Sequence, residues 1–498
     1  MPDIYQELSK LADSNMYPFH MPGHKRNLES TPMKGAFRCD ITEIDGFDNL
    51  HDESGIILEA QERANKLYGS DKTYFLVNGS TSGVLSAVSA ALKEGETILA
   101  ARGSHKSFYN AAYLRHLNIK YLPYKIDSRY GIPESYTKED IIGSITEDVK
   151  CVFITSPTYE GKCSDIKAIA DACHEKNIPL IVDAAHGAHF GFKGDEDFAG
   201  AEYQSIPYSA VKLGADLVIH SVHKTLPSMT QTALLHVQGN LIDRDRLKRF
   251  LRIYQSSSPS YILMSSIDLC IKEIQENGRE FVDNLLKYRN KIQIATAKCR
   301  CLEIPGKSAI DDAAKVLIYV RNGTMTGQAL YDILREEYNL QLEMAGDKYA
   351  LAIISGWDTN EGIDRLISAV LEIDARLAAD DRQKDGSAHK SCDNKHSNTE
   401  ECYKAKDDST YDLECRLPEV AMSIGIAWDA ETENVAFNDA EGRISAEFVN
   451  LYPPGIPLIA PGEVFSKEII DEIVHYLDEG MNVQGLVDRK GFICVRQK

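Results

Sequence analysis

No apolar run in these 498 residues approaches the roughly 20 that a membrane-spanning helix needs. The N-terminal Met1-Pro2-Asp3-Ile4-Tyr5 shows no basic region followed by an apolar core, the pattern of an export signal. A soluble, cytoplasmic protein is the expectation. Positive charge is also scarce: 55 Lys and Arg face 75 Asp and Glu, for a net charge of −20 and a pI near 5.2. Nucleic acid and anionic membranes both demand a basic patch, so neither is expected as a partner. Eleven cysteines are present without a disulfide-like framework, which fits a reducing compartment. Cys392, His396, Cys402 and Cys415 cluster in a polar stretch, but their spacing matches no familiar zinc module, and no metal is assigned. Internal repeats are absent as well.

What is present is a regular alternation. The length suggests two or three domains. Residues 1–60 show few regular patterns and several turn signals. Strands are predicted at 73–77, 97–101, 119–122, 150–155, 179–183 and 216–221, with helices ending at Tyr68 and spanning 83–92, 107–116 and 165–176 between them. Strands alternating with helices predict an α/β domain at 61–297 with a mostly parallel sheet covered on both faces. Leu234 to Val237 adds a strand, followed by helical stretches at 247–253 and 266–297. A smaller α+β domain is predicted at 298–498, with strands at 315–320 and 349–354 and helices at 327–337, 361–377 and 467–477. Between about 379 and 417, Asp, Lys, Ser, Asn and His replace apolar periodicity, and a flexible polar insertion is expected.

The chemistry is concentrated at predicted strand ends, where parallel α/β sheets bind ligands. The run Ala215 to Ile219 leads to Ser221-Val222-His223-Lys224, and Pro179 to Val182 leads to Asp183. An amine and a carboxylate so placed are the pair that pyridoxal phosphate needs, one forming a Schiff base with the aldehyde and the other keeping the pyridine nitrogen protonated. Strand 73–77 runs into Asn78-Gly79-Ser80-Thr81-Ser82-Gly83 and then a helix. Free backbone N–H groups, hydroxyls and the positive end of a helix dipole make this turn a phosphate cup. It lacks both the Gly-Lys-Ser/Thr ending of a nucleotide loop and a GxGxxG, which points to a smaller phosphate.

Several stretches together resemble the Orn/Lys/Arg decarboxylases of bacterial type in their short form. They are Phe19 to Lys25, the cup, Ser104-His105-Lys106-Ser107, Val182 to Gly187, Ser221 to Lys224, Ser256-Ser257-Ser258-Pro259-Ser260-Tyr261 and Tyr452 to Glu463. The resemblance implies a fold of the aspartate-aminotransferase type (fold type I), decarboxylation of arginine, lysine or ornithine, and an amine product that feeds polyamine metabolism. It matches Lys224 to the Schiff-base lysine, Asp183 to the partner of the pyridine nitrogen, and Ser80, Thr81 and Ser221 to phosphate contacts, with Ser82 in the same turn. His105 matches the residue stacked on the ring. Ser256 or Ser257 matches a phosphate contact donated by a neighbouring subunit, which implies a homodimer or higher homo-oligomer with shared active sites.

Some positions keep two readings. His105 could simply cap the next helix, and His223 could return a proton to Cα or serve as an orienting histidine. His186 could touch the cofactor, and Thr158-Tyr159-Glu160-Gly161 could lie beside it or form a surface turn. A basic substrate needs an acid, for which Glu43, Asp45, Asp48, Asp52, Glu160 and Glu463 are candidates. Glu463, in a Pro-Gly-Glu context, is preferred, and arginine is the favoured substrate. An aminotransferase on the same fold would need an Arg such as Arg321 or Arg365 for the α-carboxylate, and a non-catalytic relative that only binds the cofactor is the other alternative.

Overall fold

The computed structural model describes residues 2–26, 32–192, 201–388, 413–414, 417–451 and 456–497. Its central sheet has seven strands in the spatial order Lys72–Leu76, Ala233–Val237, Leu217–His220, Leu180–Asp183, Val149–Thr155, Thr97–Ala100 and Asn118–Tyr121. The last five run parallel to one another. Ala233–Val237 runs antiparallel to both of its neighbours. The connection into it from His220 is short, which suits an antiparallel return, whereas the parallel pairs need helical crossovers.

Strand side chains alternate between faces, and here both faces are covered. Leu180, Val182, Val152, Ile154 and Val218 join one buried cluster, while Ile181, Cys151, Phe153, Leu217 and Ile219 join another. The unbroken apolar runs in the sequence are therefore two interleaved faces. Each fully buried Val, Leu or Ile contributes roughly 1.5–3 kcal/mol, so the sheet is a rigid base for the loops at its carboxyl edge.

A 36-residue helix, Tyr261–Thr296, forms the spine. Ser260 caps it by accepting from Leu263 N, so it starts earlier than the predicted 266. Its buried face (Ile267, Ile271, Ile274, Phe281, Leu285, Ile292) shares one core with the N-terminal helix Ile4–Asp13 and with a small sheet. Asp268, buried on this spine, accepts from Ile4 N at 3.0 Å and from two nitrogens of Arg63 at 2.9 and 2.7 Å. The N-terminal segment is thereby tied down. Its helix carries a capping box, Asp3 with Gln6, a signal legible in the sequence but not used there.

Residues of the stretch 298–498 are spread over several cores. A four-stranded antiparallel sheet, ordered Met344–Ala345, Tyr349–Ile353, Lys315–Val320, Leu302–Glu303, shares the spine's core. Val435, Val449, Ile459, Phe465, Ile473 and Phe492 form a separate core under two three-stranded sheets. The helix Asn360–Ala388 continues into the segment expected to be a polar insertion, and Leu413–Glu414 pairs with Lys125–Ile126. Residues 389–412, Cys415 and residues 452–455 lie outside the described residues, and with them the four Cys and His positions weighed as a zinc set. Among the described residues, no helix is long and apolar enough to cross a membrane.

Candidate active site

Five strands of the central sheet end at one cavity of about 420 Å³. Beyond Leu76 come Gly79, Ser80 and Thr81, and beyond Ala100 come Gly103 and His105. Thr158, Tyr159 and Glu160 follow Thr155; Ala185 and His186 follow Asp183; Ser221, His223 and Lys224 follow His220. Gly79 takes φ +73°, the left-handed conformation that glycine adopts without steric cost, and this turns the chain into the helix Gly79–Ala91. The Asn78 side chain does not cap that helix, which leaves its first N–H groups to the turn's own surroundings. Ser221 Oγ donates to Ser80 Oγ at 2.8 Å, so two strand ends share one hydroxyl cluster. Ser82 points away from the cavity lining, its Oγ donating to Gly79 O at 2.8 Å.

Asp183 is buried, and its Oδ1 accepts from Ala185 N at 3.1 Å. Burial raises its pKa, while Lys224 and the Ala185 N–H pull it back. Lys224 opens onto the cavity, with its Nζ 2.9 Å from His186 Nε2. Desolvation lowers its pKa against the opposing pull of Asp183 and Glu343. The other face of His186 meets a residue that the sequence reading missed: Lys315 Nζ lies 2.8 Å from His186 Nδ1. Burial, first of all, holds the His186 pKa well below the ordinary value, with Lys315 and Lys224 adding to it.

Lys315 is wholly buried, and burial lowers its pKa to about 8 although Asp312 opposes the shift. Between about pH 8 and the unfolded value near 10.4, the unfolded chain binds more protons than the folded one. Stability from this group therefore rises with pH across that window. The stability of Lys315→Met relative to the unmodified chain should be highest near pH 7 and should fall by about 3 kcal/mol by pH 10.5. Chemical denaturation of both chains at the two pH values measures it, and a relative stability that stays constant or rises with pH refutes the linkage.

His105 both lines the cavity and caps a helix. Its ring lines the cavity, and its Nδ1 accepts from Ser107 N at 3.2 Å, capping the helix Lys106–Leu114. Burial, with Lys224 second, lowers its pKa to about 4, so the ring is neutral at physiological pH. His223 also lines the cavity, held by its Nδ1 at 2.9 Å from Thr232 O.

Of the candidate acids, Glu160 reaches the cavity. It is buried; Tyr349 OH donates to its Oε1 at 3.1 Å, while Oε2 has no hydrogen-bond partner. Burial raises its pKa. Glu134 and Glu343, not considered from sequence, line the same wall; Glu134 pairs with Lys162 at 2.6 Å and Glu343 accepts from Tyr159 OH. Glu463, the preferred acid, is instead buried outside the lining, where it accepts from Arg102 at 2.9 Å and from Ala460 N at 2.7 Å. Arg102 and Ala460 N both engage its Oε2, while Oε1 has no hydrogen-bond partner. Asp48 caps the helix Ile56–Tyr68 by accepting from Gly55, Ile57 and Leu58 N, and neither it nor Glu43, Asp45 or Asp52 lines the cavity. Arg321 pairs with Glu303 at 2.9 Å and Arg365 donates to Tyr338 O and Asn339 O, so neither offers a carboxylate clamp there. Ser256 and Ser257 are exposed and outside this chain's lining; Ser256 N donates to Asn78 Oδ1 at 3.1 Å.

The parallel sheet with one antiparallel strand, the cup, the strand-end lysine and the strand-end aspartate define a fold type I pyridoxal-phosphate architecture. The chain belongs to the Orn/Lys/Arg decarboxylase family: the major-domain model matches residues 2–365 and the C-terminal-domain model residues 412–484. An arginine decarboxylase of Bacillus subtilis (strain 168) is 32% identical over 500 residues, covering 97% of this chain and 95% of that protein. Another, from Halalkalibacterium halodurans, is 31% identical over 492 residues, covering 96% and 94%. Among solved structures, the Francisella novicida lysine decarboxylase LdcF aligns with a TM-score of 0.76 at 18% identity, covering 100% of this chain and 81% of that one.

Proposed function

We propose that this chain decarboxylates a basic amino acid, arginine foremost, with pyridoxal 5'-phosphate as cofactor, releasing CO2 and the corresponding amine. The observation that carries the reading is the convergence of Lys224, Asp183 and the Ser80 turn on one cavity. The donor set fits the cofactor by its chemistry. A buried carboxylate with a single backbone N–H partner suits a protonated ring nitrogen, hydroxyls at an uncapped helix start suit a phosphate, and a desolvated lysine suits an aldehyde. When bound, the cofactor supplies the electron sink for the charge left on Cα as CO2 departs.

The chain's own groups do the rest. Lys224 is the covalent anchor. Asp183 favours the charged form of the ring nitrogen, because an anion at hand stabilises a cation. Ser80, Thr81 and Ser221 would hold the phosphate, His105 would contact the cofactor from the cavity wall, and His186 orients Lys224. His223, fixed through Nδ1, keeps Nε2 for a proton directed to Cα. We place the active form as a homodimer in which Ser256 or Ser257 reaches the partner's phosphate, and the cytoplasm as its compartment.

Glu160 is the acid for the basic side chain, since its unpartnered Oε2 would gain a charge-assisted hydrogen bond from a guanidinium or ammonium. Such a bond is worth about 1.5–3 kcal/mol. Glu160→Gln should therefore raise KM roughly ten- to hundredfold with kcat little changed, the signature of lost uniform binding. An unchanged KM with collapsed kcat would reassign Glu160 to the chemistry. The function itself is tested by incubating the protein and cofactor with arginine, lysine and ornithine separately and reading amine and CO2 by mass spectrometry. A keto acid in place of CO2, or no product from any of the three, overturns the reading.

A further inference from the structure

We propose that Lys315 is a positioning residue and proton reserve for Lys224, acting through the imidazole of His186. The inference rests on Lys224 being the reactive amine. His186 stands between two amines, its Nε2 2.9 Å from Lys224 and its Nδ1 2.8 Å from Lys315. A neutral imidazole has one lone pair and one N–H. Both contacts are strongest when one lysine is an ammonium that donates and the other is a neutral amine that accepts. Two ammonium groups would leave one aimed at an N–H, and two neutral amines would leave the ring's lone pair facing a weak donor. The three groups therefore share one excess proton.

Two arrangements meet that condition. In the first, Lys315 Nζ is charged and donates to Nδ1, while Nε2–H donates to the Lys224 lone pair. In the second, the Lys315 N–H bond has broken and its proton sits on Nδ1; the Nε2–H bond has broken and that proton sits on Lys224. One positive charge moves from Lys315 to Lys224, and the imidazole changes tautomer without ever carrying net charge at the end of the exchange. Lys224 needs both states, neutral to attack an aldehyde and protonated to give a proton away.

The surroundings select the first arrangement at rest. Lys315 is faced by Asp312, Glu160 and Glu343 and by the Tyr159 ring at 5.2 Å, while Lys224 is faced by Asp183, Glu343 and the His105 ring. Asp312 Oδ1 is engaged by His189 at 2.9 Å and by Ala314 N at 2.9 Å, and its Oδ2 has no hydrogen-bond partner; Lys315 Nζ bonds to His186, so Asp312 attracts the Lys315 charge without a hydrogen bond to it. Gly161, at φ +102°, packs directly on this lysine: a Cβ there would lie 2.7 Å from Lys315 Cγ. The loop that carries Glu160 thus holds the Lys315 stem in place.

The test needs neither cofactor nor substrate, so its outcome is independent of whether any amino acid is turned over. In the full-length, cofactor-free protein, acylation of Lys224 by acetic anhydride is followed by peptide mass spectrometry from pH 6 to 10. In a folded Lys315→Met chain the midpoint should rise by about one pH unit, which slows acylation at pH 7 about tenfold. A midpoint that does not move overturns the proposal and reduces Lys315 to a structural role. Should that variant fail to fold, the 15N shifts of the His186 ring in the unmodified chain, assigned by difference from His186→Gln, decide instead. A bare Nδ1 with a proton on Nε2 supports the reserve, whereas the opposite tautomer or an imidazolium at pH 7 overturns it.

Discussion

Lys224→Ala should bind pyridoxal phosphate without the visible absorbance of the covalently held cofactor and should release CO2 slower by on the order of 10⁴-fold, about 5.5 kcal/mol of barrier. The size follows from two losses at one atom: the anchor that orients the cofactor, and an amine able to carry a proton beside Cα. His223 lines the cavity as a second proton carrier, but the chain offers no close substitute for the anchoring amine. His186 is held between two lysines, and Lys315 lies behind it, outside the cavity lining. Removal of the side chain also takes away the hydrogen bond on His186 Nε2 but leaves the sheet untouched, so circular dichroism and thermal unfolding should stay close to those of the unmodified protein. Partial rescue by added small primary amines is expected, because they replace the nucleophile without the tether. Turnover within tenfold of the unmodified chain would remove Lys224 from the mechanism.

For Asp183→Asn the expected loss in kcat is roughly 10³-fold with the cofactor still bound. Opposite charges in contact near a protein interior are worth about 4 kcal/mol at an effective dielectric of 20, and an amide cannot supply that. The carboxylate is buried and opposed by its surroundings, which raise its pKa, so its ionised form depends on a cation nearby. A bound, protonated ring nitrogen would be that cation. Asp183→Asn should consequently weaken the cofactor's electron sink more than its affinity, a split visible when kcat and the cofactor dissociation constant are measured together. Equal loss in both would make Asp183 a binding residue only.

How far the site was legible depended on distance along the chain. Lys224, Asp183, the Ser80 turn and His105 each follow a strand whose apolar run announces itself, and the rule that ligands gather at carboxyl ends of parallel strands brings them together without a structure. Lys315 could not be found that way. It lies at the start of a strand in a different sheet, 129 positions from His186, and in sequence it reads as a solvated lysine. Glu463 shows the converse. Its motif context was informative, but the partner that neutralises it, Arg102, is 361 positions away. The direction of Ala233–Val237 and the spread of residues 298–498 over several cores were also hidden, because apolar periodicity reports which residues are buried and not against what. Helix starts were the missed opportunity: Thr137 with Asp140 is a capping box that opens the unpredicted helix Lys138–Ser144.

The Arg102–Glu463 pair bears on how the chain can be taken apart. Arg102 is buried, stacks its guanidinium near the Tyr109 and Tyr121 rings, and donates to Leu458 O as well as to Glu463. It also stands three residues before His105. Cutting away residues 417–497 as a dispensable module would strand a guanidinium in an apolar pocket at the root of the loop that carries His105, and breaking a buried pair from one side costs about 3–5 kcal/mol. A graft of the C-terminal unit from a relative would meet the same obstacle unless it brought a carboxylate to the same spot. The C-terminal unit has a core of its own, yet this pair ties it to the central sheet.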